Sequence, residues 1–132
     1  MIMSGFWRIA PSSVLLLASC LALAAEDGFA KWWPQFQAAV KAGDANAISA
    51  GAKFPMQWEL GAVREIATRQ DFIRRFPSLF TADMKNAVAR EKAVRIPEGY
   101  MITWHARGNE YSFYFRPSGR GFVLAGLSEG PP

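Results

Sequence analysis

The chain has a single cysteine, Cys20, which lies within an apolar N-terminal stretch. The rest of the sequence therefore cannot form an internal disulfide, and its fold must be stabilised by packing. Aromatic side chains bury large areas, and the chain has 10 Phe, 5 Trp and 3 Tyr to supply them. Because the sequence has one histidine, His105, we expect neither a His-rich metal site nor a cofactor.

The first 24 residues have the pattern of a cleaved secretory signal peptide. Arg8 is the only charged residue of this segment, and it precedes an uncharged stretch at 14–24 that is rich in Leu and Ala. The stretch ends in Ala-Leu-Ala at 22–24, so small residues occupy the positions that signal peptidase requires. We therefore expect export to the periplasm or the medium, with a mature chain that starts at Ala25.

The same segment leaves a second processing route open. Leu17-Ala18-Ser19-Cys20 resembles the lipobox of bacterial lipoproteins, whose cysteine is lipidated and becomes the first residue. Residues 21–25 continue the apolar core, whereas a lipoprotein usually turns polar after its cysteine, so the sequence favours release of a soluble chain. Membrane association is expected only if Cys20 is lipidated, because the uncharged stretch is shorter than the roughly 20 residues that span a bilayer.

The part that follows the signal, residues 25–132, is long enough for one compact domain and too short for two. The whole chain has a formal net charge of +4, and charges of both signs alternate without long runs. This pattern favours a solvated surface over a nucleic-acid interface. We therefore expect a single domain that does not bind nucleic acid.

Apolar spacing and capping residues predict four helices in this domain. The supporting residues are Phe29, Trp33, Phe36 and Val40 at helical spacing in the first helix, and Asp44, Thr68 and Thr81 as N-caps of the other three. The second helix is predicted to be short, running to about Ala52. Phe54-Pro55 stops helical continuation, and Pro77 is expected to end the third helix or to mark a turn.

Alternation of apolar and polar residues predicts strands at 56–60 and in the last third of the chain. Gly108-Asn109 suits a two-residue hairpin turn. Such a turn would pair Trp104 with Phe113, His105 with Ser112 and Thr103 with Tyr114. A second reversal at 117–121 leads to a strand at 122–127, and residues 128–132 are expected to be a frayed tail.

This order of elements resembles the nuclear transport factor 2-like superfamily, which has a cystatin-like cone. The likeness is carried by Phe36, Val40, Gly43-Asp44, Ile48, Phe54-Pro55, Gly61, Phe72, Phe76 and residues 113–127. It implies an α+β fold with N-terminal helices packed on a curved antiparallel sheet, here short of one or two strands. The superfamily includes isomerases, dehydratases, ligand carriers, interaction modules and exported proteins without an assigned reaction, so the resemblance implies a fold and not a function.

The candidate site is the polar face of the predicted C-terminal sheet. Alternation and the predicted pairing place four side chains on that face, Thr103, His105, Ser112 and Tyr114. Glu59 would line the same face if its strand joins the sheet. Such a group could bind a polar ligand, or His105 could exchange protons with help from Glu59 or Tyr114. The competing interpretation is the solvated face of a one-sided sheet whose aromatic residues pack under the helices.

These observations favour an exported module of the cell envelope that binds a small ligand or a partner protein. The expected partners are a small molecule, an envelope protein or a second copy of the chain in a homodimer. The alternative is a small enzyme of the isomerase, dehydratase or hydrolase type that uses a polar pocket around His105. The sequence itself names neither the ligand nor a reaction.

Overall fold

Four helices and six strands follow one another in the part of the chain that the structure, a computed structural model, describes: residues 28–119 and 121–132. They are α1 (28–42), α2 (Ala45–Ala50), β1 (Ala52–Leu60), β2 (Val63–Ile66), α3 (Arg69–Leu79), α4 (Ala82–Arg90), β3 (Val94–Ile96), β4 (Gly99–Ala106), β5 (Asn109–Ser118) and β6 (Gly121–Gly130). The predicted signal peptide, its cleavage site and Cys20 lie outside the described residues. None of the described helices has the length and apolar character needed to cross a bilayer.

The strands form one sheet in the order β2-β1-β6-β5-β4-β3. Neighbouring strands are antiparallel except β1 and β6, which run parallel, so the sheet is mixed rather than wholly antiparallel. The predicted α+β class, with helices packed on a sheet, is confirmed. The short edge strands β2 and β3 supply the two strands that the sequence pattern had not indicated.

Aromatic side chains fill the space between the helices and the sheet. One group joins α1 to the sheet and consists of Phe29, Trp32, Trp33, Phe36, Tyr100, Phe115 and Phe122. A second group joins α3 to the sheet and consists of Phe72, Phe76, Phe80, Trp58, Phe113 and Trp104. The described residues thus contain the aromatic core that the composition predicts. Each fully buried ring stabilises the folded state by about 1.5–3 kcal/mol relative to an exposed ring.

The predicted helix caps are confirmed. The side chain of Asp44 accepts a hydrogen bond from the Ala47 amide, and that of Thr68 accepts one from the Asp71 amide. Pro77 does not end α3, which continues to Leu79. Proline at this position loses only one helical donor, and burial of Leu79 holds the last turn against the core.

The strands are longer than the sequence pattern indicated. β1 begins at Ala52 and includes Pro55, because a register shift between Ala52 and Gln57 accommodates a residue that has no amide donor. The predicted frayed tail at 128–132 was wrong for its first three residues, since Ser128 to Gly130 continue β6 and pair with β5. The start of β1 and the end of β6 are both set by backbone pairing with neighbouring strands, which the hydropathy pattern does not reveal.

The β4–β5 turn lies one residue earlier than predicted. Arg107 and Gly108 occupy it with positive φ, so Ala106 pairs with Asn109 and His105 pairs with Glu110 rather than with Ser112. The shift moves the partner of each residue along the strand by two positions. It therefore changes which residues are opposite one another but leaves every side chain on its predicted face.

Candidate functional site

The four polar residues predicted to share a face of the sheet do share it. Thr103 and His105 on β4 and Ser112 and Tyr114 on β5 alternate with buried aromatic residues that contact the helices. We call this side of the sheet, which faces away from the helices, the outer face. Its polar and small residues include Lys53, Gln57, Glu59, Glu65, Thr103, His105, Glu110, Ser112, Tyr114, Arg116, Gly126, Ser128 and Gly130.

Hydroxyl pairs connect the central strands of the outer face. Thr103 Oγ1 and Ser112 Oγ are 3.0 Å apart across β4 and β5. Tyr114 Oη and Ser128 Oγ are 3.1 Å apart across β5 and β6. Ser112 is buried in spite of its position on this face, and its hydrogen bond to Thr103 compensates that burial.

Glu59 belongs to the same face, but both oxygens of its carboxylate already accept hydrogen bonds from neighbouring residues. Its Oε1 accepts a hydrogen bond from the Glu129 amide at 3.0 Å, and its Oε2 accepts one from Gln57 Nε2 at 2.7 Å. Two strands, β6 and β5, separate Glu59 from His105 on β4. The structure therefore places Glu59 on the predicted face without bringing it to the histidine.

The carboxylate that does approach His105 is Glu110. His105 Nε2 lies 3.3 Å from Glu110 Oε2, and the two side chains are 66% and 45% exposed. Water screens a pair this open, so the contact gives the imidazole no enclosed acid–base partner. Sequence reasoning missed Glu110 because the partner of His105 depends on the turn register. No group of His, Cys, Asp and Glu side chains in the described ranges is arranged to hold a metal ion.

An open cleft of about 330 Å³ lies on the outer face around Tyr114. Gln57, Gly126, Ser128 and Arg116 line it together with that ring. Its volume falls at the lower end of the range for ligand sites, and it is open where such sites are usually enclosed. The cleft could accept one side chain of a partner or one small polar molecule.

A second open cleft, of about 360 Å³, lies between α4 and β4. Its polar lining is supplied by Asp83, Asn86, Arg90, Glu91, Thr103 and His105. Two predicted site residues, Thr103 and His105, therefore line a different cleft from Tyr114, whereas Ser112 and Glu59 line neither.

The helix-facing side of the sheet is closed by packed rings. The Phe29 and Tyr100 ring centroids are 3.8 Å apart, and those of Phe80 and Phe113 are 5.5 Å apart. Trp58 Nε1 donates a hydrogen bond of 3.2 Å to the Leu79 carbonyl. Among the described residues, no buried side-chain nitrogen or oxygen lacks a hydrogen-bond partner. No polar group on this side is thus left aimed at a ligand.

The strongest charge cluster on the helices stabilises a helix terminus. A hydrogen bond from Arg74 is the largest cause that lowers the pKa of Asp71, and Arg75 lowers that pKa further while burial opposes both. Asp71 lies in the first turn of α3, where a carboxylate is favoured by the helix dipole. This cluster has a structural role that needs no ligand.

No protein-family model matches the sequence, and no curated protein matches it. The chain is similar to the solved structure of an NTF2-like (nuclear transport factor 2-like) protein with a cystatin-like fold from Novosphingobium aromaticivorans, with 12% identity, 87% of each chain covered and a TM-score of 0.49. It is also similar to a five-substitution variant of a protein named Rd1NTF2, with 9% identity, 76% of this chain and 94% of that chain covered, and a TM-score of 0.45. Neither similarity carries information about a ligand, a partner or a reaction.

Proposed function

We propose that this chain is an exported protein-interaction module of the cell envelope, and that the outer face of its sheet is the surface that binds a partner protein. One observation carries the proposal. Aromatic rings fill the helix-facing side of the sheet, whereas the opposite side presents polar, accessible groups from four adjacent strands. A small-molecule site is usually an enclosed concavity, and a partner protein needs an accessible, nearly flat surface.

The chemistry of the outer face supports a protein partner. Short side chains, Thr103, Ser112 and Ser128, lie at its centre, so another surface can approach the sheet closely. Tyr114 lies half-buried beside the 330 Å³ cleft. Tyrosine is enriched at protein interfaces because its ring contributes apolar area while its hydroxyl keeps a hydrogen bond. Here the hydroxyl already pairs with Ser128.

The proposal can be tested by crosslinking in cells. A photoreactive amino acid replaces Gln57, which is exposed on the outer face, or Arg74, which is exposed on α3 as the matched control. Protein adducts from position 57 and none from position 74 support the proposal. If position 57 gives no adducts and the purified protein retains a small molecule, the proposal is overturned. That result favours the ligand-binding or enzyme alternative.

Export is a separate part of the proposal, and it rests on the N-terminal sequence. Intact mass spectrometry of the protein from cells that express the full chain should give an unmodified polypeptide starting at Ala25. A diacylglycerol adduct on Cys20 would instead identify a lipoprotein. An uncleaved chain in the cytoplasm would contradict export by either route.

A further inference from the structure

We propose that the edge of β4 binds an extended peptide segment of a partner protein, which adds a strand to the sheet beside α4. This edge is a different surface from the outer face, so the inference goes beyond the function proposed above. It starts from a difference in strand length. β4 spans Gly99–Ala106, but β3 pairs only with its first three residues, Gly99, Tyr100 and Met101. In the part of the chain that the structure describes, residues 102–106 therefore have a strand on one side only.

The turn between β4 and β5 determines which backbone groups point out of this edge. Both residues of the turn have positive φ, as in a type I′ turn, whose two flanking residues are hydrogen-bonded to each other. Ala106 and Asn109 are those flanking residues. Because hydrogen-bonded and non-hydrogen-bonded pairs alternate along an antiparallel ladder, the backbone groups of Trp104 also point toward β5. The N–H and C=O groups of Thr103 and His105 therefore point the other way, out of the sheet.

These four backbone groups are free to bind a further strand. Among the residues that the structure describes, no group outside the β4–β5 ladder forms a hydrogen bond with the backbone of Thr103 or His105. Their amides and carbonyls recur about 7 Å apart along the edge, which is the rise of two residues in a strand. An extended main chain offers acceptors and donors at the same spacing, and strand addition to an open edge is a recurrent mode of peptide recognition. The occupant that fits this edge is therefore an extended peptide.

Helix α4 forms the opposite wall of the groove into which this edge opens. The cleft between them has a volume of about 360 Å³, and Trp104 lines it together with Thr103 and His105. The residues of α4 that line it recur at helical spacing and so lie on one stripe: Asp83, Asn86, Ala87 and Arg90. Arg107 Nε lies 3.7 Å from Asp83 Oδ2, a contact that ties the start of α4 to the β4–β5 turn. A bound strand would thus contact the sheet edge on one side and α4 on the other.

The charges of the groove favour a peptide over a highly charged polymer. Asp83 already pairs with Arg107. Arg90 and Glu91 have opposite signs and adjoin each other at the other end of α4, and neither forms an ion pair with a described residue. The groove thus has little net charge, which gives a polyanion such as nucleic acid no electrostatic attraction. A segment with few charged side chains complements this lining, and its main-chain hydrogen bonds supply the affinity.

Amide hydrogen exchange of the unmodified protein tests the open edge before any ligand is added. The amides of Thr103 and His105 should exchange at least about tenfold faster than those of Ile102 and Trp104, measured residue by residue by NMR. The difference is expected because only the second pair donates to carbonyls of β5. Equal protection of the two pairs would show that the edge is already covered, and it would overturn the inference.

Peptide binding is then tested with a phage library of random heptapeptides, selected on the purified protein. We expect enriched peptides that slow exchange of the Thr103 and His105 amides. His105→Pro removes one donor from the edge, where proline is tolerated, and places a ring carbon where the peptide would lie. It should weaken these peptides at least about tenfold. His105→Ala is the matched control, because it keeps the backbone donor, and it should change their affinity less than about threefold. No enrichment, or equal binding by the proline variant, overturns the inference.

A second pair of variants keeps the test decisive if His105→Pro fails to fold. Asn86→Trp fills the groove from an exposed position on α4 and should weaken the same peptides at least about tenfold. Lys85→Trp is its control, since Lys85 is exposed on the same helix but does not line the groove. Equal effects of the two tryptophans overturn the inference. Peptides that alter the amides around Tyr114 instead also overturn it, but they leave the interaction function of the outer face standing, which crosslinks from position 57 test separately.

Discussion

The hydroxyl of Tyr111 donates a hydrogen bond of 2.5 Å to the carboxylate of Glu129, its cross-strand neighbour on β6. Asn109 Nδ2 donates to the same carboxylate oxygen at 3.3 Å. The hydrogen bond to Glu129 is the largest cause that raises the pKa of Tyr111, and burial raises it further. This contact joins β5 to β6 within the segment that was expected to be a frayed tail.

Replacing Tyr111 by Phe should therefore remove from the titration curve of the protein the tyrosine whose pKa is raised above its ordinary value. Because the pKa of Tyr111 is higher in the folded state, its hydrogen bond stabilises the fold fully below the ordinary tyrosine pKa of about 10 and loses that effect as pH rises through the folded-state value. Tyrosinate absorbance checks the titration, and urea unfolding at alkaline pH checks the stability. An unchanged titration curve in Tyr111→Phe would contradict the assignment.

Gly99→Ala should destabilise the sheet at the start of β4. Gly99 has φ +151°, and an added Cβ would lie 2.0 Å from the Phe115 carbonyl oxygen, so the two strands must move apart. We expect a loss of more than about 2 kcal/mol of unfolding free energy, measured by urea denaturation. Gly61→Ala is the control: it has positive φ but no atom within 4 Å of its added Cβ, and it should cost only about 1 kcal/mol.

Phe113→Ala should cost about 3–5 kcal/mol of unfolding free energy. The Phe113 ring is fully buried and contacts Trp104 and Phe80. Val94→Ala provides the comparison, since Val94 is 57% exposed and its truncation should cost less than about 0.5 kcal/mol. Equal effects at the two positions would mean that the faces of the sheet are assigned wrongly.

His105→Ala should change the unfolding free energy by less than about 1 kcal/mol. The side chain is exposed, and its contact with Glu110 is an open surface pair. Thermal unfolding of the two proteins at neutral pH is the direct check. A large loss of stability would show that His105 supports packing that its exposure does not reveal.

Helix positions and sheet faces could be predicted from the sequence because they depend on neighbours close along the chain. The side chains of Asp44 and Thr68 each accept a hydrogen bond from the amide three residues ahead, in the first turn of the helix that follows. The alternation around Trp104 assigns the faces of β4 without knowledge of its partner strand. The four residues predicted on β4 and β5 accordingly share one face, even though the turn was misplaced by one residue.

Strand partners could not be predicted in the same way because they depend on distant segments. The edge strands β2 and β3 are short, and backbone hydrogen bonds to their neighbours define them more than side-chain pattern does. The parallel pairing of β1 with β6 joins residues about seventy positions apart, for example Gln57 and Gly126. The contact of Glu59 with the Glu129 amide follows from this distant pairing. The contact of His105 with Glu110 is local, and it escaped sequence reasoning because the predicted hairpin turn was one residue off.

The position of β6 also bears on the order in which the molecule can fold. β6 is the last strand in the sequence, yet it lies inside the sheet between β1 and β5. During synthesis, β1 leaves the ribosome long before its inner neighbour exists, so that side of β1 cannot be paired until residues 121–130 follow. Folding of the whole sheet therefore waits until β6 has been synthesised, and one side of β1 stays unpaired until then.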